Sequence, residues 1–213
     1  MVRLYLDIET YRPSSKDAFT NENIIAIGVL EDFTPYSSKS LNFCVGEQIF
    51  TEWETGSEEN IIKNFYRYIE AVSTGGARFI VVVGFNILRM DIPLLVQKGV
   101  KYKVASISKL NKLWHNTFTI DILQSLLPAN QFMFKGLTLS RIFEVLRNEL
   151  GYVNAPKLEY HGEKVARAYE EKRYTVIENW LKEDLYATRY LDLSGAIGKL
   201  IEYSVKKGKP IFK

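Results

Sequence analysis

The stretch FIVVVGFNILRMDIPLL, residues 79–95, decides how the rest of the chain is read. It opens as an unbroken apolar run rich in β-branched residues. Such a run is what a strand buried on both faces requires, as in the middle of a parallel sheet. Pro93 fits the first turn of a helix, where its missing N–H costs nothing. Between strand and helix stand Gly84, Asn86, Arg89 and Asp91. Loops that leave the end of a central strand are where α/β domains place their sites. Two structural explanations compete: Asp91 caps the helix end, and Asn86 is a turn residue.

Around this unit the pattern predicts a mixed sheet. Val2, Leu4, Leu6 and Ile8 alternate with Arg3, Tyr5, Asp7 and Glu9, which is strand periodicity. Residues 24–30 and 40–45 are further strand candidates, and TFTID near residue 120 reads as a short edge strand. Ser57 is a fitting N-cap for a helix whose inner face carries Ile61, Phe65, Ile69 and Val72, stopped by Gly75 and Gly76. Helices are expected over 122–127, 139–150 and, as one long final element, about 176–205. No linker or repeat is visible, so one domain over 1–213 is expected.

Composition narrows the class. A net charge of +3 admits a nucleic-acid partner without requiring one. Lys98, Lys101, Lys103, Lys109 and Lys112 lie near Tyr102 and Trp114; they read either as a path along a phosphate backbone or as a solvated face. A lone Cys44 excludes an internal disulfide, and with two histidines it excludes a cysteine–histidine zinc site. Cys44 reads as a small core residue. His115 and His161 read as surface or loop residues. Arg3 and Asp7 interrupt any leader-like apolar stretch, and no apolar run is long enough to span a bilayer. The expectation is a cytoplasmic, intracellular chain with no membrane partner; protein partners are not legible.

Two other acidic places matter. Asp7 and Glu9 are two apart on a strand and so share a side, roughly 7 Å apart along it; they face either water or a site. Asp184 lies on the apolar stripe of the final helix, three residues after Leu181 and four after Trp180. A carboxylate there needs a partner, either an Arg or Lys or a metal ion. If the acids from these places converge, they repel and raise one another's pKa unless a cation sits among them.

Three motifs now line up. LDIET resembles the Asp-x-Glu motif of the DEDD 3′–5′ exonucleases. GFNILRMDIPLL resembles their second motif, and WLKEDLYATRYL their third. The form is similar to the exonuclease domain of family B DNA polymerases, and closer still to stand-alone relatives of it. The resemblance implies a ribonuclease H-like α/β fold, a mixed sheet flanked by helices. It implies metal-binding residues Asp7, Glu9, Asp91 and Asp184, holding two Mg²⁺ or Mn²⁺ ions. Trp180 joins the catalytic set, either orienting the attacking water by its N–H or only walling the site; Thr10 reads as a substrate contact, Asn86 as a substrate contact or a support behind the metal ligands, and Phe85 either stacks on a terminal base or simply packs. The implied activity is exonucleolytic hydrolysis at single-stranded or frayed 3′ ends of DNA. A ribonuclease of the same superfamily, an endonuclease and a non-catalytic nucleic-acid-binding module are the alternatives. Two positions depart from the family's pattern. Met90 stands where Phe or Tyr is common, and Trp180 stands where a tyrosine usually holds the attacking water.

Overall fold

The computed structural model describes residues 2–12, 21–33, 45–74, 79–162 and 164–212. The stretch from Pro13, the expected strand up to Cys44, and Gly75 with Gly76 lie outside the described residues. The described elements in chain order are β1 (Val2–Tyr11), β2 (Asn23–Asp32), β3 (Val45–Thr51), α1 (Glu52–Thr55), α2 (Glu58–Thr74), β4 (Ile80–Gly84), α3 (Asp91–Lys101), α4 (Ile107–His115), β5 (Phe118–Asp121), α5 (Ile122–Leu126), α6 (Leu139–Leu150), α7 (Val165–Glu170), α8 (Tyr174–Leu193) and α9 (Ala196–Lys207).

The strands form one mixed sheet in the order β3-β2-β1-β4-β5. β1 and β2 pair antiparallel, as do β2 and β3, while β1, β4 and β5 run parallel. β4 is therefore an inner strand, as its unbroken apolar run predicts. Helices cover both faces. Val2, Leu4 and Leu6 pack with Ile61 and Phe65 of α2 and with Leu94 and Leu95 of α3. On the other face, Tyr5, Ala26, Leu30 and Val83 pack with Phe143 of α6 and with Leu181 and Leu185 of α8.

β1 thus has no wet face. The side that carries Arg3 and Tyr5 is sealed by α8, and both side chains are fully buried. Both reach toward a carboxylate of that helix. The Tyr5 hydroxyl donates to Asp192 at 2.8 Å, Arg3 lies 3.9 Å from the same carboxylate, and Arg189 donates to Asp32 on β2 at 2.7 Å. Asp192 sits against the start of β1, so the earlier turns of α8 lie over its end. At the centre of this contact is Gly28. A Cβ there would meet Leu185 at 2.7 Å and Leu181 at 2.9 Å, so glycine is what lets α8 lie this close.

The single long final helix expected from the periodicity is two helices. Gly195, in the left-handed region at φ 71°, separates α8 from α9. Ser57 accepts a hydrogen bond from Asn60 N as a cap should. Among the described residues no helix is long and apolar enough to cross a membrane.

Candidate active site

The C-terminal end of β1 opens into a cavity of about 280 Å³ whose lining includes Asp7, Glu9, Phe85, Asn86, Asp91 and Asp184. Three elements deliver the acids. Asp7 and Glu9 come from β1, where Asp7 pairs with Gly28 and a bulge follows Glu9. Bulges re-aim side chains at strand ends. Asp91 is the first residue of α3, and Asp184 projects from α8 with a side chain 22% exposed.

The loop between β4 and α3 is held from two sides. At Gly84 a Cβ would strike Ile87 at 2.1 Å and the Leu6 carbonyl at 2.8 Å, so only glycine lets the chain turn against β1 here. Asp121, at the end of β5, accepts from Asn86 N and Leu88 N, both at 3.0 Å, and also caps α5 through Gln124 N. Asn86 itself takes a left-handed conformation, φ 67°. Asp91 does not cap its helix: the N-cap is Met90, with no side-chain cap bond, and the buried Oδ1 of Asp91 has no hydrogen-bond partner.

The electrostatics follow from crowding. Burial first, then the charges of Asp184, Asp91 and Glu9, hold Asp7 well above the usual carboxylate range. Burial also pushes Glu9 up to about 8, with His161 opposing and Asp184 and Asp91 adding. Asp91 rises to about 7, mainly through burial, against backbone N–H groups that pull it down.

His161 stands in a loop, as one of its two sequence readings has it, but not at the surface, which corrects the other. It is buried, lines the same cavity, and places Nε2 3.3 Å from Asp184 Oδ2 and 3.8 Å from Glu9 Oε1. Its Nδ1 lies 3.1 Å from the Glu159 carbonyl, which can only accept, so Nδ1 carries a proton. Burial works against the imidazolium, but Asp184 and Glu9 outweigh it and raise its pKa above 6.5. No strand or helix spacing links 161 to 184, because a loop and α7 intervene. Asp184 therefore meets a histidine, where the sequence offered an Arg, a Lys or a metal ion.

The remaining expected residues divide. Phe85 and Asn86 line the cavity, and Asn86 Oδ1 is buried without a partner. Trp180 stands outside the lining and stacks on His161, ring centroids 5.1 Å apart and planes 7° apart. The Thr10 hydroxyl donates to Glu22 at 2.6 Å, also outside the lining. The basic stretch splits. Lys98 and Lys101 engage Glu58, while Lys103, Lys109 and Lys112 join Lys63 and Arg67 around a separate groove of about 450 Å³.

Among the described residues no three of His, Cys, Asp and Glu close on one point as a metal cluster would. The donor set nevertheless fits a hard cation. The acids supply oxygen only, Asp7, Glu9 and Asp91 hold protons at unusually high pH, and Asp91 and Asn86 each keep a buried oxygen unpaired.

No family model matches the chain, and no curated protein matches it. Solved structures do. A family B DNA polymerase from the hyperthermophilic archaeon Pyrobaculum calidifontis superposes with a TM-score of 0.60 at 19% identity, over 99% of this chain and 26% of the polymerase. The zinc-ion-bound form of an E. coli ExoI–ssDNA complex superposes with a TM-score of 0.51 at 14% identity, over 95% of this chain and 42% of that one. The chain therefore spans well under half of either neighbour. At these identities the likeness establishes the fold: a ribonuclease H-like mixed sheet flanked by helices.

Proposed function

We propose that residues 1–213 form a single metal-dependent 3′–5′ exonuclease domain acting on DNA at single-stranded, frayed or mismatched ends and releasing nucleoside monophosphates. The observation that carries this reading is the meeting of Asp7, Glu9, Asp91 and Asp184, from β1, α3 and α8, at one cavity whose buried oxygens are not all paired. The choice of DNA is supported by the neighbours, one a DNA polymerase and one bound to single-stranded DNA.

Asp7, Glu9, Asp91 and Asp184 would hold two Mg²⁺ or Mn²⁺ ions, a pair that activates water and stabilises the leaving oxygen in displacement at phosphorus. The chain's own groups do the rest. Phe85 and Asn86 wall the space for the terminal nucleotide. Trp180 fixes the plane of His161 by stacking. An indole has no acceptor and cannot take a proton from water; His161 Nε2, facing Asp184 and Glu9, holds and moves the proton instead.

The test is degradation of 5′-labelled single-stranded DNA with Mg²⁺ or Mn²⁺. A ladder of shortened products is expected, blocked by a 3′ phosphate. No ladder overturns the proposal; cleavage past the block makes the enzyme an endonuclease, and a ladder only on RNA makes it a ribonuclease.

A further inference from the structure

Between α5 and α6 the segment NQFMFKG, residues 130–136, puts large apolar side chains into solvent. Phe132 is 73% exposed, Met133 43% and Phe134 42%. This is not a slack loop tip. Gln131 and Phe132 both adopt left-handed backbone, φ 52° and 60°, a strained state for bulky residues that persists only when the surroundings impose it. The constraint is visible. The buried amide of Asn130 donates to the Met133 carbonyl at 2.6 Å and to the Lys135 carbonyl at 3.1 Å, and its oxygen accepts from Phe212 N at 3.2 Å. Phe132 N also donates to the Leu127 carbonyl at 2.8 Å. Phe212 is itself fully buried, so the loop is bolted to the core from beneath.

The loop also adjoins the candidate active site. The Arg89 guanidinium lies 3.8 Å from the centre of the Phe134 ring, and Arg89 belongs to the turn between Asn86 and Asp91. Leu137 to Ser140, which follow directly, line the acidic cavity, as does Tyr160, 57% exposed. Exposed Arg89 and Lys135 put positive charge beside the rings.

We infer that the 131–135 loop, with Arg89, is a platform on which the bases of an unpaired nucleic-acid strand stack as its 3′ end enters the cavity. This rests on the nuclease reading and specifies its substrate: a strand with its base faces free. Aromatic rings accept any base, because every base has a π-face, and nearby cations meet the phosphates. A paired duplex keeps those faces stacked on their neighbours and gains nothing from the platform.

The experiment is fluorescence anisotropy in EDTA, where no turnover occurs, with labelled oligothymidine and with blunt duplex of equal length. Phe132→Ala/Phe134→Ala should bind the single strand about tenfold or more weakly, since each base–ring stack is worth about fivefold at least. Its duplex binding should match the wild type. In a second arm the wild-type protein meets an oligonucleotide with abasic positions near its 3′ end and should lose affinity to a similar degree. That arm decides the matter even if the double variant does not fold. Equal binding of intact and abasic strands, or a folded variant with wild-type affinity, overturns the inference. Catalysis is scored separately. A wild type that binds through the loop but yields no ladder would remove the exonuclease and leave the platform; a ladder with no loop effect would do the reverse.

Discussion

His161 and Trp180 show what a single residue contributes here. The indole stacks flat on an imidazole whose Nε2 stands between Asp184 and Glu9. Replacing His161 with Gln keeps a similar reach but cannot exchange a proton. Turnover in single-turnover assays should fall by about 10²–10⁴, the usual worth of a positioned acid or base; a rate near wild type would confine His161 to packing. Asp184→Asn should cost at least as much and would be measured alongside it. That the four acids could meet at one cavity is legible from sequence because each lies in a short local motif: an alternating strand, a strand-to-helix junction, a helix stripe. His161 is not, because its role comes from a contact across a loop and α7. Asp121 escaped for the same reason, holding the Asn86 turn from 35 residues away.

At the scale of elements, the question is what brings α8 down onto β1 far enough for Asp184 to reach Asp7. Two features do this. The ionic contacts of Asp192 and Asp32 pin the end of the helix, and Gly28, paired with Asp7, removes the side chain that would hold its middle away. Gly28→Ala should therefore force Leu181 and Leu185 outward. The overpacking should destabilise the fold by about 1–3 kcal/mol in urea melts and, with every carboxylate intact, lower turnover as Asp184 is carried away. Wild-type turnover in Gly28→Ala would mean that the site tolerates a displaced α8. Asp32→Ala removes a carboxylate that Arg189 donates to in the core and should cost about 1.5–3 kcal/mol in the same melts, the worth of a hydrogen bond to a charged group. Periodicity revealed α2, β4 and α6 because their burial patterns are local. It fused α8 and α9 because the apolar stripe runs on through Ser194 and Gly195, and only the left-handed backbone of Gly195 interrupts it. The pins between α8 and the sheet join residues 157 and 187 apart and leave no local trace.

Taken whole, the molecule carries opposed titrations, which give its stability an uncommon pH profile. Burial opposes the charge on Glu58, but Lys98 at 2.6 Å, Tyr102 and Ile24 N outweigh it and lower its pKa from 4.5. A carboxyl lowered by folding contributes stability above its unfolded pKa, and that contribution disappears as pH falls through the folded value. The site acids work in the other sense. Glu9 and Asp91 titrate near 8 and 7 in the folded chain, Asp7 is raised too, and their ordinary values are 4.5 and 3.8. Between those ranges the folded protein holds protons that the unfolded chain has released, so stability falls as pH rises. His161, raised above 6.5, adds to the same fall as it deprotonates. In EDTA the melting temperature should therefore peak near pH 5 and decline toward pH 8. Asp91→Asn removes one of the charges that burial disfavours; it should raise the metal-free melting temperature at pH 8 while abolishing turnover, the trade of stability for function that active sites show. Millimolar Mn²⁺ should reverse the alkaline decline in the wild type, because an ion that binds only the folded acids stabilises by mass action. In Asp91→Asn that gain should shrink. Differential scanning fluorimetry of both proteins across this pH range, with EDTA and with Mn²⁺, checks all four curves. A wild-type melting temperature that climbs from pH 5 to 8 in EDTA, or ignores Mn²⁺ at pH 8, would mean that the acids do not crowd one another as the fold places them.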